Sequence, residues 1–297
     1  MERQTLVTKP SQNYELIDSG GEEKLERYGS VLLRRPDPQA LWNKAISPDE
    51  WAKADARYVR EGKEGKWEAK SSLPKEWPIE FGGLTFLIRP TSFKHTGLFP
   101  EQEPNWHWLR TTIESANRPV AVLNLFGYTG GASLAAAQAG GQVTHVDASK
   151  TAVAWARENA AKSGLEDKPI RWITEDVMVF VEREIKRGNA YDLILMDPPA
   201  FGHGPNDELW KIEEDLLPLL EACEKLLTAH PVGMLINGYA AGYSPLAFAY
   251  NLEPFVKKFG GDITYGDLTI EEQAHSTGSG QAGKRALPCG IFARWKA

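Results

Sequence analysis

Four groups of residues able to do chemistry follow one another between Asn124 and Phe201. The first is the turn Gly127-Tyr128-Thr129-Gly130-Gly131, with Asn124 and Phe126 before it. The second is Asp147, 20 positions after Gly127, followed by Ala148 and Ser149. The third is Glu175-Asp176 with Val177 behind it. The fourth is Asp197-Pro198-Pro199-Ala200-Phe201. Glycines allow a ligand to approach the backbone closely, and a helix start offers unpaired N–H groups. An acid after a second strand can accept from both hydroxyls of a ribose. Together the first two groups describe a nucleoside site.

The turn lacks the G-x-G-x-x-G spacing of a pyrophosphate-binding dinucleotide site, and bulky Tyr128 stands where a pyrophosphate needs room. A nucleoside without phosphates is the better fit, and S-adenosylmethionine is one. A glycine turn that only packs a helix on a sheet is the alternative. Asp147 is expected to take the ribose hydroxyls. Asp176 is placed to accept from an adenine amino group, with Val177 beside the ring; Asp is also well suited to cap a helix. At the fourth group the prolines fix a rigid extended turn. It exposes a carboxylate, Asp197, and the carbonyls of Pro198 and Pro199, which can orient an amino group toward a methyl donor. Phe201 can stack on a flat substrate. His203, in the loop Gly202-His203-Gly204-Pro205-Asn206, is a candidate general base or an ordinary loop residue.

These groups need a scaffold that brings strand ends together. Short apolar runs at 121–126, 143–146, 170–174, 192–196 and 234–236 alternate with helical stretches at 132–139, 151–163, 177–187, 208–227 and 245–259. That alternation predicts a doubly wound α/β sheet of parallel strands. Two final strands, 263–268 and 289–295, have no helix between them and are expected to pair antiparallel, giving seven strands. The front of the chain is different. Residues 1–13 read as a loose tail, strand-like runs follow from Tyr14, and Ser47-Pro48 starts a helix. Residues 60–76 read as an exposed connection or irregular strands, and 79–88 as a β-hairpin turning at Gly82-Gly83. Residues 1–103 are therefore assigned to a smaller β-rich domain and 104–297 to the cofactor-binding domain. The polar run containing Lys94, Thr96, Gly97 and Gln102 is either a lid over the cofactor or a linker.

Composition is that of an ordinary globular protein with net charge −6. Residues 1–95 hold 16 Lys+Arg against 15 Asp+Glu, or +1; the rest holds 18 against 25, or −7. Contact with a polyanion is thus expected through the front of the chain. The two cysteines, 66 positions apart, give neither a disulfide framework nor a zinc spacing, so no metal is expected. The first residues lack a signal-peptide core and no apolar run reaches membrane-span length, so a cytoplasmic protein is expected. The run from Gly278 to Arg285 nearly matches the phosphate loop of triphosphate-binding proteins. Arg285 replaces the required Ser/Thr, and a strand follows instead of a helix. Lys284 and Arg285 are candidates to touch a nucleic-acid phosphate.

Three runs, VLNLFGYTGG…VDAS, LMDPPAFG and SFKHTGLFPEQ, together resemble the bacterial S-adenosylmethionine-dependent methyltransferases related to the large-subunit ribosomal RNA cytosine-5 enzymes. The resemblance covers roughly residues 80–297. It implies a class I methyltransferase sheet, Rossmann-like with a reversed last strand, and S-adenosylmethionine as cofactor. The site residues it implies are Asn124, Phe126, Gly127, Tyr128, Thr129 and Gly130 around the methionine part, Asp147, Ala148 and Ser149 at the ribose, and Asp176 at the adenine. Thr96 and Gln102 belong to its lid. It also implies an RNA substrate, in all expectation ribosomal, and leaves the oligomeric state open, a homodimer included. Two departures bear on the chemistry. Cytosine-5 transfer needs a cysteine nucleophile, and the run Leu235-Ile236-Asn237-Gly238-Tyr239-Ala240-Ala241-Gly242, where the family carries it, has none. Residues 1–80 do not resemble the family's small RNA-binding domain. Direct methyl transfer to an RNA base, at a nitrogen, is the expected reaction. A protein or small-molecule acceptor, or a non-catalytic cofactor- or RNA-binding role, is the alternative.

Overall fold

The computed structural model describes residues 1–61, 64–205, 208–239, 242–273 and 285–297. Asn206, Ala240-Ala241 and the 278–284 part of the glycine-rich loop, Lys284 included, lie outside the described residues. In chain order the elements are β1 (Glu2–Thr8), β2 (Tyr14–Gly20), β3 (Glu23–Tyr28), β4 (Val31–Pro36), α1 (Pro48–Trp51), β5 (Ala56–Glu61), β6 (Glu64–Ala69), β7 (Trp77–Phe81) and β8 (Leu84–Ile88). Next come α2 (Glu103–Ser115), β9 (Ala121–Leu125), α3 (Gly131–Gln138), β10 (Gln142–Asp147), α4 (Lys150–Lys162), β11 (Ile170–Thr174), α5 (Val177–Arg187) and β12 (Leu193–Met196). The chain ends with β13 (Phe201–His203), β14 (Leu209–Lys211), α6 (Ile212–Lys225), β15 (Gly233–Gly238), α7 (Pro245–Phe259), β16 (Asp262–Glu271) and β17 (Ala286–Lys296). The chain forms two compact units. One comprises Met1–Leu6, Gln102–Leu268 and Gly290–Ala297; the other comprises Val7–Glu101 and Thr269–Cys289.

The first unit is built on an eight-stranded sheet of order β1-β16-β17-β15-β12-β9-β10-β11. Strands β11, β10, β9, β12 and β15 are parallel, and β17 pairs antiparallel with β15. The middle strands are buried on both faces, as their unbroken apolar runs require: every residue of β12 and of β15 is buried. The chain leaves β9 toward β10 on one side and returns to β12 on the other. That reversal opens a crevice at the carboxyl ends of the strands, where open α/β sheets hold ligands. Helix α5 shows how the layers join. Its buried positions Val177, Phe180, Val181 and Glu184 recur at one helical face. Glu184 is tolerated there because Tyr191 Oη and Asn189 Nδ2 each donate to it at 2.8 Å and Arg187 Nη1 at 2.9 Å.

Two expectations need correction. The tail at 1–13 contains β1, an edge strand beside β16, so the sheet has eight strands and not seven. The alternation of β1 is weak because most of it stays half-exposed, and only a neighbour strand supplies its hydrogen bonds. Residues 208–227 are not wholly helical, because α6 starts at Ile212 after a two-stranded ribbon, β13 with β14. Of the two readings of 60–76 the strand one holds, since the stretch carries β6, paired antiparallel with β5.

The second unit holds a five-stranded sheet of order β2-β3-β4-β5-β6 and the hairpin β7–β8. The hairpin turns as expected, with positive φ at Gly82 (58°) and Gly83 (76°), which two residues with side chains would resist. Arg285 is not available for a phosphate. Its guanidinium donates to Glu272 Oε2 (2.8 Å), Asp18 Oδ1 (3.0 Å) and the Asn43 carbonyl (3.0 Å).

Candidate active site

The strand β9 ends at Leu125, and the chain then bends sharply. Phe126 (φ 57°) and Tyr128 (φ 48°) both take left-handed backbone conformations, which are strained for bulky side chains. Backbone bonds hold the bend: Gly127 N–H donates to the Val146 carbonyl at 3.0 Å and Gly130 N–H to the Gly127 carbonyl at 3.0 Å. Gly127 has no alternative, since a Cβ there would stand 2.4 Å from Cε1 of His145. Helix α3 then starts from Gly130 with no side-chain cap. Its first N–H groups have no helical partner and face the turn.

Beneath the turn runs a buried polar chain that pattern reading did not find. Asn124 Nδ2 donates to Ser133 Oγ at 2.8 Å, and Ser133 Oγ lies 2.9 Å from His145 Nδ1. Asn124 is 3% exposed and faces inward, so it ties β9 to α3. His145 is fully buried, and burial pulls its pKa down to about 3.

Asp147, at the end of β10, is gripped by its own loop. Its Oδ2 accepts from Tyr128 N–H at 2.8 Å and its Oδ1 from Ser149 N–H at 2.8 Å. Burial raises its pKa and the two backbone donors lower it, with burial the larger effect. Each oxygen keeps a further lone pair for a ligand hydroxyl. Ser149 caps α4 by accepting from Ala152 N–H at 3.2 Å, and Ala148 is half-buried between them. Asp176 caps α5, its Oδ1 accepting from Val179 N–H at 3.0 Å. Val177 is buried in the main core.

On the other side of the crevice, β12 ends at Met196 and delivers half-buried Asp197. Pro198 is buried and Pro199 exposed. The Pro199 carbonyl accepts from the Trp210 indole N–H at 2.7 Å. That bond anchors the ribbon β13–β14, and the Trp210 ring also meets the Phe126 ring edge-on at 4.8 Å. With Trp210 turned inward, the alternate positions Phe201, His203 and Leu209 face outward. Phe201 is 57% exposed, its ring 5.3 Å from that of His203.

Gln102 belongs to this unit, and its Nε2 donates to Tyr239 Oη at 2.7 Å. Thr96 and the run around it belong to the other unit, where Thr96 is buried. Cys223 lies in the core with its thiol pushed up to about 12 by burial, and burial also raises Cys289 well above its ordinary value. Burial thus disfavours the thiolate form of both. No cluster of three His, Cys, Asp or Glu residues suited to a metal occurs among the described residues. Trp210, Tyr239 and His145 carry no sequence signal of their own, although Tyr239 stands in the run already noted for lacking a cysteine.

The donor set suits S-adenosylmethionine. The start of α3 offers N–H groups for a carboxylate, and Asp147 offers lone pairs for ribose hydroxyls. Comparison with known proteins agrees. Residues 42–238 match the family of S-adenosylmethionine-dependent methyltransferases. A solved S-adenosylmethionine-dependent methyltransferase from Agrobacterium tumefaciens is 40% identical, with TM-score 0.91 over 99% of this chain and 95% of that one. A Streptococcus mutans structure at 18% identity and TM-score 0.67, covering 96% and 76%, shares the fold alone. The ribosomal RNA large subunit methyltransferase K/L of Hahella chejuensis is 34% identical over 58% of this chain. The match spans 23% of that relative, so the chain covers about a quarter of the length of such proteins. The chain belongs to the S-adenosylmethionine-dependent methyltransferases.

Proposed function

We propose that this methyltransferase acts on RNA, ribosomal RNA first, by direct transfer to a base nitrogen in the cytoplasm. The observation that carries the reading is Phe201, an exposed ring on a ribbon anchored to the Asp197-Pro198-Pro199 turn. An exposed flat ring on a ribbon that follows a carboxylate in the chain suits a flat acceptor bearing an amino group. The name of the Hahella relative supports the same substrate class.

Bound S-adenosylmethionine supplies an electrophilic methyl group. The residues of this chain do the rest. The turn at Phe126 to Gly130 and the start of α3 hold the methionine part, Asp147 the ribose, and Asp176 the adenine. Asp197 and the Pro198 carbonyl accept from the acceptor N–H and direct its lone pair at the methyl. Pro199 contributes by holding Trp210, and Phe201 fixes the plane of the base. Positioning of this kind supplies a large part of a two-body rate. No cysteine is needed, since the acceptor nitrogen takes the methyl directly from sulfur and gives up its own proton by way of Asp197 to water.

A protein or small-molecule acceptor is the second reading. It is favoured by the acidic first turn of α6, Glu213, Glu214 and Asp215, which directly follows the ribbon and repels a polyanion. The test is transfer of labelled methyl from S-adenosylmethionine to total RNA from cells lacking this protein, with Asp197→Ala as control. Label in one ribosomal RNA, lost in the variant, supports the proposal. Label in protein or small molecules alone overturns it in favour of the second reading.

A further inference from the structure

Beside the carboxyl end of β15 lies a connected chain of polar side chains with an obligate donor at its origin. Arg294 of β17 is 5% exposed and packs against Phe292 and Trp108, 4.8 and 5.2 Å from their ring centroids. It forms no ion pair among the described residues, and burial pulls its pKa down to about 9, so it stays protonated at neutral pH. Its Nε donates to Asn105 Oδ1 at 2.8 Å, and Nη2 donates to the same oxygen.

A guanidinium cannot accept, so the Asn105 oxygen must face it. The Asn105 nitrogen is thereby turned away, and donates to Gln102 Oε1 at 2.7 Å and Asn237 Oδ1 at 2.8 Å. Gln102 is fixed in turn, its nitrogen facing Tyr239 Oη. One arginine thus settles three amide orientations that are otherwise interchangeable. Asn237 is left with its oxygen engaged and its nitrogen without a partner among the described residues. That nitrogen is not sealed from solvent. Met196 and Ile236 are register partners, so Asn237 stands one step further on, level with Asp197.

We infer that Asn237 reads the acceptor: its amide N–H donates to a ring nitrogen or carbonyl of the group whose N–H faces Asp197. The inference rests on the reading of the acceptor as a nucleobase. Nucleobase edges carry a donor beside an acceptor, which a carboxylate next to an amide N–H matches. Arg294 and Asn105 act through Asn237 and are positioning residues.

The test uses the full chain with Asn237→Asp, which keeps an oxygen for Asn105 but replaces the donor. Methyl transfer to RNA and to protein from cells lacking this protein is measured, with S-adenosylhomocysteine affinity by calorimetry. Transfer by Asn237→Asp is expected to fall about 10- to 100-fold through a raised acceptor KM, with cofactor affinity unchanged. Arg294→Met should raise the same KM, and Arg294→Lys should restore it in part. Wild-type transfer by Asn237→Asp, or a parallel loss of cofactor affinity, overturns the inference. Label in protein alone defeats the RNA reading instead, and the same variants are then compared on that acceptor. If neither pool takes label, the side-chain amide of Asn237 is followed by nuclear magnetic resonance with free nucleosides. Fast solvent exchange and a shift on nucleoside addition support the inference, and a slowly exchanging, unresponsive amide overturns it.

Discussion

The two sides of the crevice are built in opposite ways. On the side proposed for the cofactor the groups come from one βαβ unit and are mostly backbone: a bend at Phe126 to Tyr128, the bare start of α3, and N–H groups that grip Asp147. On the side proposed for the acceptor they are side chains from separate elements: Asp197 after β12, Trp210 on β14, Asn237 on β15 and Arg294 on β17. A backbone-built side ignores most side-chain changes but fails where a Cβ does not fit. A side-chain-built side loses one contact per substitution and leaves cofactor binding alone.

The largest effect should come from Asp197→Ala. Transfer is expected to fall about 1,000-fold while S-adenosylhomocysteine affinity, measured by calorimetry, holds. A matching drop in affinity would break the comparison, because the two sides would then not be separable.

Gly127→Ala attacks the other side. The added Cβ would stand 2.4 Å from the His145 ring, itself unable to retreat from the core. Overpacking of this kind costs about 1–3 kcal/mol, and cofactor affinity should fall by about tenfold or more. Residual transfer at saturating cofactor would sharpen the comparison, since the acceptor side is untouched. Melting curves separate lost binding from lost folding.

Phe201→Ala should raise the acceptor KM by about tenfold, the low end of the 1–3 kcal/mol of a base–aromatic stack. Melting temperature should not move, because the ring is 57% exposed. A lower melting temperature with an unchanged KM would make Phe201 part of the ribbon and not of the site.

The smallest effect is on stability against pH. The pKa of His145 is lowered from 6.5 to about 3, so the folded protein keeps the ring neutral while the unfolded chain takes up a proton below pH 6.5. Its stability contribution is full above about pH 6.5 and is lost as pH falls toward 3, by at most about 1.4 kcal/mol per unit. His145→Gln should show a shallower decline in melting temperature over that window. An unchanged slope would remove His145 as its cause.

The difference between the sides also explains what pattern reading reached. The glycine turn, Asp147, Asp176 and Asp197 were legible because a βαβ unit places glycines and strand-end acids at short, regular separations. The ribbon β13–β14 was read as loop and helix. Its two strands have three residues each, too few to show a period, and Trp210 holds them only by reaching back to Pro199 and Phe126. The tail that became β1 was missed for a related reason, since an edge strand half in solvent lacks a clean alternation.

By itself the sequence determined the doubly wound sheet, its reversed last strand, the glycine turn and the strand-end carboxylates, because these follow from local propensity and apolar periodicity. Only the tertiary structure decided that Arg285 is committed to Asp18 and Glu272, that the Pro199 carbonyl serves Trp210, and that Arg294 aims Asn105, Gln102 and Asn237. A hydrogen bond joining residues far apart in sequence leaves no period and no spacing in the chain. It exists once the sheet order has brought the strand ends together.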